Sequence, residues 1–180
     1  MYHLTGTRLY KPRFMFRTLP RVLLLRTLLT EEEAKRIISA CKEVRGDVRW
    51  HYDANEGFAK AHILVENSLG VSLKICCNAN LEIAGMYSFS LILNNRYRIM
   101  GLDVEGSHGN KHTDDKQWRK ETHKHRWTDR CREAFAFTPD VPMTRFSDVD
   151  QAFREFCEEC NVAFGGSVAP LPDPQLGLPM

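Results

Sequence analysis

A long hydrophobic run is missing from the sequence, and its absence excludes whole classes of protein. The apolar stretch at residues 22–29, VLLLRTLL, has only eight residues and contains Arg26, whereas a membrane-spanning helix needs about 20 apolar residues. A secretory signal peptide needs a longer apolar centre and a cleavage site of small residues, and neither is found. We therefore predict a cytoplasmic protein with no membrane partner.

Acidic side chains are absent from the first 30 residues. Six of the 25 Lys and Arg residues lie there, whereas all 23 Asp and Glu residues come later. The rest of the chain is therefore mildly acidic, which argues against the concentrated basic face of a large nucleic-acid footprint. A chain of 180 residues favours one domain. We predict a basic extension at 1–28, a single domain at 29–162 and a disordered, Pro- and Gly-rich tail at 163–180.

The sequence also lacks a pair of cysteines or histidines with zinc-finger spacing. Its six cysteines include Cys157 and Cys160, but this Cys-x-x-Cys lies within a helical pattern and not beside a turn. Without a secretory signal, oxidation is not expected. We predict reduced, mostly packed thiols.

Hydrophobic patterns predict two helices and a sheet. Thr30 and Glu33 form a capping box before the first helix, and Ser147 is the expected N-cap of the second. Between them, apolar residues alternate with polar ones, as in antiparallel strands joined by hairpins. Residues 105–122 are predicted to form a polar loop. We expect an α+β fold with helices near 31–45 and 148–160 packed on an antiparallel sheet built from residues 47–104 and 122–138.

Histidine, the commonest metal ligand and the side chain that titrates nearest neutrality, is concentrated in one segment. Residues 107–127 hold four of the seven histidines, which are His108, His112, His123 and His125. Positions 123 and 125 share one face of a strand. Asp103 ends the strand that leads into the segment, and glycines beside His108 permit a sharp turn. We predict that His108, His123 and His125 converge with Asp103, while His112 stays outside in the charged loop.

Two kinds of chemistry fit such a cluster. A divalent metal such as zinc would take His123 and His125 with His108 or Asp103 as ligands. Metal-independent RNA cleavage would instead use the imidazoles as general base and acid. In the second case the phosphate charge would be stabilised by cationic side chains, namely Arg96, Arg98, Lys120 and Arg126.

A third interpretation needs no catalysis. The histidine strand would then be structural, the charged loop would be a recognition surface, and Trp118 would be an exposed anchor for a protein partner. All three interpretations remain open at the level of sequence.

The order of these motifs resembles a small family of uncharacterised bacterial and mobile-element proteins. The residues that match its pattern between Leu29 and Val162 are Asp103, Gly106, His108, Asn110, His123 and His125. The chain departs from the pattern at Gly106-Ser107, where the family has paired prolines, in a longer charged loop, and at Phe135, where an aromatic Trp or Tyr is expected. No function comes with the resemblance.

We predict a small intracellular protein of the toxin or anti-defence kind. Its candidate activity is that of a metal-independent ribonuclease, with Asp103, His108, His123 and His125 as catalytic residues and no cofactor. Asn110 and Trp118 would join the cationic side chains in binding. The alternatives are a non-enzymatic protein that binds an antitoxin or a host or phage defence complex, and a zinc-dependent hydrolase.

Overall fold

The structure, a computed structural model, describes residues 28–53, 57–109, 117–140 and 148–172. Within these ranges the chain forms two helices and nine strands. In chain order they are α1 (Glu31–Ser39), β1 (Lys42–Val44), β2 (His51–Asp53), β3 (Phe58–Asn67), β4 (Leu73–Asn80), β5 (Tyr87–Leu93), β6 (Tyr97–Gly109), β7 (Gln117–Arg126), β8 (Ala136–Phe137), α2 (Val149–Glu159) and β9 (Val162–Phe164).

The strands form one open sheet in the order β8-β7-β6-β5-β4-β3-β1-β9, with β2 paired to β3 beside this path. Neighbouring strands run antiparallel except β1 and β9, which are parallel. The α+β class predicted from the sequence is confirmed. Neither helix in the described part of the chain is long and apolar enough to cross a membrane.

The hydrophobic core lies on one face of this sheet, and both helices contribute to it. Alternate residues of β4 and β5 point into it, as the buried and half-buried pattern of both strands shows. Phe89 of β5 meets two rings of α2, Phe153 at 5.3 Å and Phe156 at 5.8 Å between ring centroids. The opposite face of the sheet therefore carries the polar members of the same alternation, and we call it the site face.

Helix α1 begins as the sequence predicts but ends earlier. The capping box of Thr30 and Glu33 is formed, yet the helix stops at Ser39 and not near residue 45. Lys42 caps this end, since its buried ammonium donates to the carbonyls of Ile37, Ile38 and Ala40 at 2.8, 2.6 and 2.5 Å. These bonds occupy the last carbonyls of the helix, and the chain turns into β1.

The end of the described chain also differs from the prediction of a disordered tail. After β9, Val168 bridges Val48 in parallel, and Ser167 and Ala169 exchange backbone hydrogen bonds with Val48 at 2.8 and 2.9 Å. The Trp50 indole donates to the Ala169 carbonyl at 2.9 Å. Disorder is therefore the wrong prediction for residues 163–172, because backbone pairing anchors a segment that has few apolar side chains. Residues 1–27 and 173–180 lie outside the described residues.

The predicted loop at 105–122 is mostly strand. Strand β6 continues to Gly109 and β7 begins at Gln117. Their pairing shifts register between Asp103 and Gly106 and again between Gly106 and His108. Glu105 and Lys120 adopt positive φ values of 54° and 51°. These irregularities disturb the simple alternation of polar and apolar residues, which is why the sequence pattern there is typical of a loop.

Candidate functional site

The predicted histidine pair lies on the site face of β7. His123 pairs with Asp103 and His125 pairs with Gly101 across the ladder between β6 and β7. The intervening Lys124 points to the helical side, where its ammonium lies 2.6 Å from the Glu159 carboxylate of α2. Strand alternation thus places both imidazoles on the side of the sheet that carries the Asp103 carboxylate.

His108 joins the pair because β6 bulges after Asp103. The two register shifts between Asp103 and His108 return its ring to the site face. Its ring centroid lies 4.4 Å from that of His123 and 4.8 Å from that of His125. The structure therefore brings together the four residues that the sequence predicts to converge. We call Asp103, His108, His123 and His125 the His/Asp cluster.

One atom from each member of the cluster faces a common point. The His125 Nε2 atom lies 3.0 Å from His108 Nε2 and 3.1 Å from Asp103 Oδ2. The His123 Nε2 atom lies 3.4 Å from the same carboxylate oxygen. All four atoms lie within 4.8 Å of one another. Zinc bonds of about 2.0–2.1 Å in tetrahedral geometry separate ligand atoms by about 3.3 Å, so the three separations of 3.0, 3.1 and 3.4 Å fit the ligands of one metal ion.

The other ring nitrogen of each β7 histidine faces a backbone carbonyl. The Nδ1 atom of His123 lies 2.8 Å from the Glu121 carbonyl oxygen, and that of His125 lies 3.1 Å from the Glu133 carbonyl oxygen. A carbonyl only accepts hydrogen bonds, so each Nδ1 must carry the hydrogen and donate. The Nε2 atom of each ring then faces the cluster, the arrangement that orients metal-ligating histidines.

His123 carries a buried nitrogen that a cation at the cluster could bind. Its side chain is 0% exposed. Among the residues that the structure describes, its Nε2 atom has no hydrogen-bond partner. A buried acceptor without a partner costs about 1–3 kcal/mol, and a metal ion at the common point would bind this lone pair. The donor set, three imidazoles and one carboxylate, suits a first-row transition metal such as zinc.

Electrostatics favour the metal-binding protonation states of Asp103 and His125. Burial would raise the pKa of Asp103, but the neighbouring His123 and His125 rings and the Arg98 charge hold that pKa well below its usual range. Burial also lowers the pKa of His125, assisted by Arg98 and opposed by the Asp103 carboxylate. The carboxylate is therefore ionised and the His125 imidazole neutral at physiological pH.

Gly106 and Trp118 close the cluster on one side. A Cβ atom at position 106 would lie 2.8 Å from His123 Cε1 and 3.0 Å from Asp103 Cβ. The Trp118 ring lies 4.6 Å from the His123 ring between centroids. Trp118 is 3% exposed, so the prediction that it is an exposed anchor is wrong. It instead covers His123, because the second bulge turns it inward.

Arg98 is a predicted site residue that the structure also brings to the cluster. Its Nη1 atom lies 3.6 Å from Asp103 Oδ2, and its Nη2 donates to the Glu133 carbonyl at 3.3 Å. The side chain passes over Gly101, where a Cβ would lie 3.3 Å from Arg98 Cδ. A single carbonyl, that of Glu133, thus holds both Arg98 and His125.

The remaining predicted residues are not part of the cluster. Arg126 follows Lys124 on the other face of β7 and lies over the rings of Phe135 and Phe137 at 4.9 and 5.2 Å. Lys120 is exposed, and its backbone N–H donates to the Ser107 hydroxyl at 3.0 Å within the bulge. Asn110 and His112 lie outside the described residues.

A polar groove of about 350 Å³ opens beside the cluster, and sequence reasoning missed it. Its polar lining residues are Asn78, Asn80, Ser88, Ser90, Arg98 and Asp103. The available signal was the alternation of Asn and Ser with apolar residues in two consecutive strands, CNAN at 77–80 and YSFS at 87–90. Small polar side chains at those positions leave space on the site face.

Comparison with protein families gives one match. The model of a family described as "Family of unknown function (DUF6978)" matches residues 29–162. No curated protein and no solved structure matches the chain.

Proposed function

The chain belongs to this family of unknown function, and we propose that it is a metal-dependent hydrolase. The Nε2 atoms of His108, His123 and His125 and the Oδ2 atom of Asp103 hold one divalent transition-metal ion, most suitably zinc. Such an ion would lower the pKa of a bound water and polarise the bond to be cleaved. The observation that carries this proposal is the convergence of imidazole lone pairs whose opposite nitrogens are fixed by backbone carbonyls.

Access from the groove favours a catalytic ion over a structural one. Structural zinc sites are closed by four protein ligands, whereas catalytic ions keep a position for water or substrate. The Asp103 side chain is 17% exposed and lines the polar groove. Water and substrate would therefore reach the ion from the Asp103 side, where the ion would take a fifth ligand or exchange the carboxylate for water.

A metal-independent ribonuclease is less well supported by this geometry. Acid–base cleavage of RNA needs two imidazoles that reach the substrate. The His123 and His125 side chains are only 0% and 1% exposed, and both rings face the Asp103 carboxylate. The burial of Trp118 removes the anchor on which the binding-protein alternative relied. The toxin or anti-defence role stays a prediction.

Hydrolysis assays with controlled metal content test the proposal. The full chain, stripped with a chelator and reloaded with zinc or manganese, is assayed on a chromogenic phosphodiester and a chromogenic carboxylic ester. We expect turnover of at least one substrate that disappears on chelation and returns with metal. His125→Ala should abolish it, whereas His51→Ala, at an exposed histidine of β2, should not. Turnover that survives chelation, or none with any metal, contradicts the proposal.

A further inference from the structure

The polar groove continues the His/Asp cluster in rows across the sheet. Asn78 pairs with Ser88, Ser88 pairs with Asp103, and Asp103 pairs with His123. A second row joins Ser90 to Gly101 and Gly101 to His125. Paired residues lie side by side on one face, with Cβ atoms about 4.5–5.5 Å apart. A substrate that lies along these rows is therefore directed at the metal ligands.

The charge of the groove is concentrated at its metal end. Of the described residues that line it, Arg98 is the only cationic one and Asp103 the only acidic one. The Asp103 carboxylate is already engaged by His123 and His125. The Arg98 guanidinium is held by the Glu133 carbonyl and makes only a 3.6 Å contact with Asp103. Its remaining N–H groups suit a phosphate, which arginine binds through paired hydrogen bonds.

The other end of the groove offers neutral polar groups and the exposed ring of Phe58. Asn80 Oδ1 accepts from the backbone N–H groups of Glu82 and Ile83 at 2.8 and 2.9 Å, which leaves its amide group to donate. Phe58 pairs with Asn80 and is 36% exposed. It lies on β3, three strand spacings or about 14 Å across the sheet from β6, and two residues along β3 from Lys60, which pairs with Asn78. An exposed ring at the end of a polar groove suits the stacking of a nucleobase.

From these observations we infer that the substrate is a phosphodiester of a single-stranded nucleic acid. This inference rests on the proposed metal-dependent hydrolase and names its substrate class. The scissile phosphate binds between the metal and Arg98, the adjoining nucleotide lies along Ser88, Ser90 and Asn78, and a base stacks on Phe58. Hydrolysis forms a bond between water oxygen and phosphorus and breaks one ester P–O bond. The released nucleoside oxygen takes up a proton derived from water, so the products are a phosphomonoester and an alcohol.

Fluorescence anisotropy of labelled oligonucleotides of about ten nucleotides, one RNA and one DNA, tests the inference on the zinc-loaded full chain. We expect binding that weakens about tenfold or more in Arg98→Gln, with the slope of log affinity against log salt reduced by about one. Lys74→Gln is the matched control, because Lys74 lies on the same sheet face but does not line the groove. Phe58→Ala should weaken binding about 5- to 100-fold, whereas Leu64→Ala, at an exposed position of the same strand, should not.

Comparison of the two oligonucleotides identifies the source of the phosphodiester, since cleavage of only one of them assigns the site to RNA or to DNA. Absence of binding to both, or equal affinities in Arg98→Gln and Lys74→Gln, overturns the inference. If the zinc-loaded chain hydrolyses only the carboxylic ester, the proposed function stands and the substrate class is wrong. Should Arg98→Gln unfold by circular dichroism, Arg98→Lys replaces it; this variant keeps the charge, loses the paired hydrogen bonds and must still weaken binding.

Discussion

At the scale of single residues, the histidines of this chain differ in what their ring nitrogens face. His51 and His62 are exposed strand residues. His123 and His125 are buried, and each turns Nδ1 to a backbone carbonyl and Nε2 to the His/Asp cluster. The two carbonyls fix both the tautomer and the direction of the lone pair. Burial alone therefore does not define this site; the carbonyls of Glu121 and Glu133 do.

At this scale, substitution of Gly106 tests how tightly the His123 ring is packed. In Gly106→Ala the new Cβ would lie 2.8 Å from His123 Cε1 and 3.0 Å from Asp103 Cβ, so the ring or the Asp103 side chain must shift. Overpacking of this kind costs about 1–3 kcal/mol, and the displaced ring should also weaken zinc binding. Thermal unfolding and zinc titration of the variant check both effects.

The control for this substitution is Gly165→Ala. A Cβ at position 165 meets nothing within 4 Å, so its melting temperature and zinc affinity should stay close to those of the wild type. A Gly106→Ala protein with unchanged zinc affinity would show that the His123 ring is not held in place by its neighbours.

At the scale of secondary structure, the cluster was predictable because two strand rules suffice for most of it. Alternation puts His123 and His125 on one face, and an antiparallel neighbour places Asp103 opposite them. The continuation of β6 and β7 through residues 105–109 and 117–122 was not predictable. It depends on bulges at Glu105 and Lys120, where non-glycine residues adopt positive φ. No local sequence pattern predicts these bulges.

The end of α1 was likewise not predictable from the sequence pattern. Val44 continues the apolar stripe of the helix in the sequence, but in the structure it is a buried residue of β1. Pairing of β1 with β3 and β9 decides this, and these partners are distant in sequence. Tertiary pairing thus outweighs the helical pattern.

Substitution of Lys42 tests its contribution to the stability of the end of α1. In Lys42→Met the three carbonyls at the end of α1 lose a buried, charged donor, which should lower the free energy of unfolding by about 2–3 kcal/mol. Chemical denaturation measures the change. Lys35→Met is the control, since Lys35 is exposed and pairs only with Glu31 one turn away, and little change is expected there. Equal stabilities of the two variants would contradict the role given to Lys42.

At the scale of the whole molecule, the two faces of the sheet have different roles. One face packs on both helices to form the core, and the other carries the His/Asp cluster and the polar groove. Strand β9 and residues 167–169 complete the far edge through backbone pairing with β1 and Val48. Because the cluster members do not belong to the core, removal of one of them should leave the fold intact.

The metal content of the folded chain tests the central claim most directly. Native mass spectrometry of the zinc-titrated full chain should show one bound zinc ion in the wild type and in His62→Ala. His123→Ala should show an affinity at least about 100-fold weaker, since even partners outside the ligand shell contribute 10–100-fold. Its far-ultraviolet circular dichroism should match the wild type. A folded wild-type chain that binds no zinc, manganese, iron or cobalt, or a His123→Ala protein that binds zinc as tightly as His62→Ala, would contradict the assignment of this cluster as a metal centre.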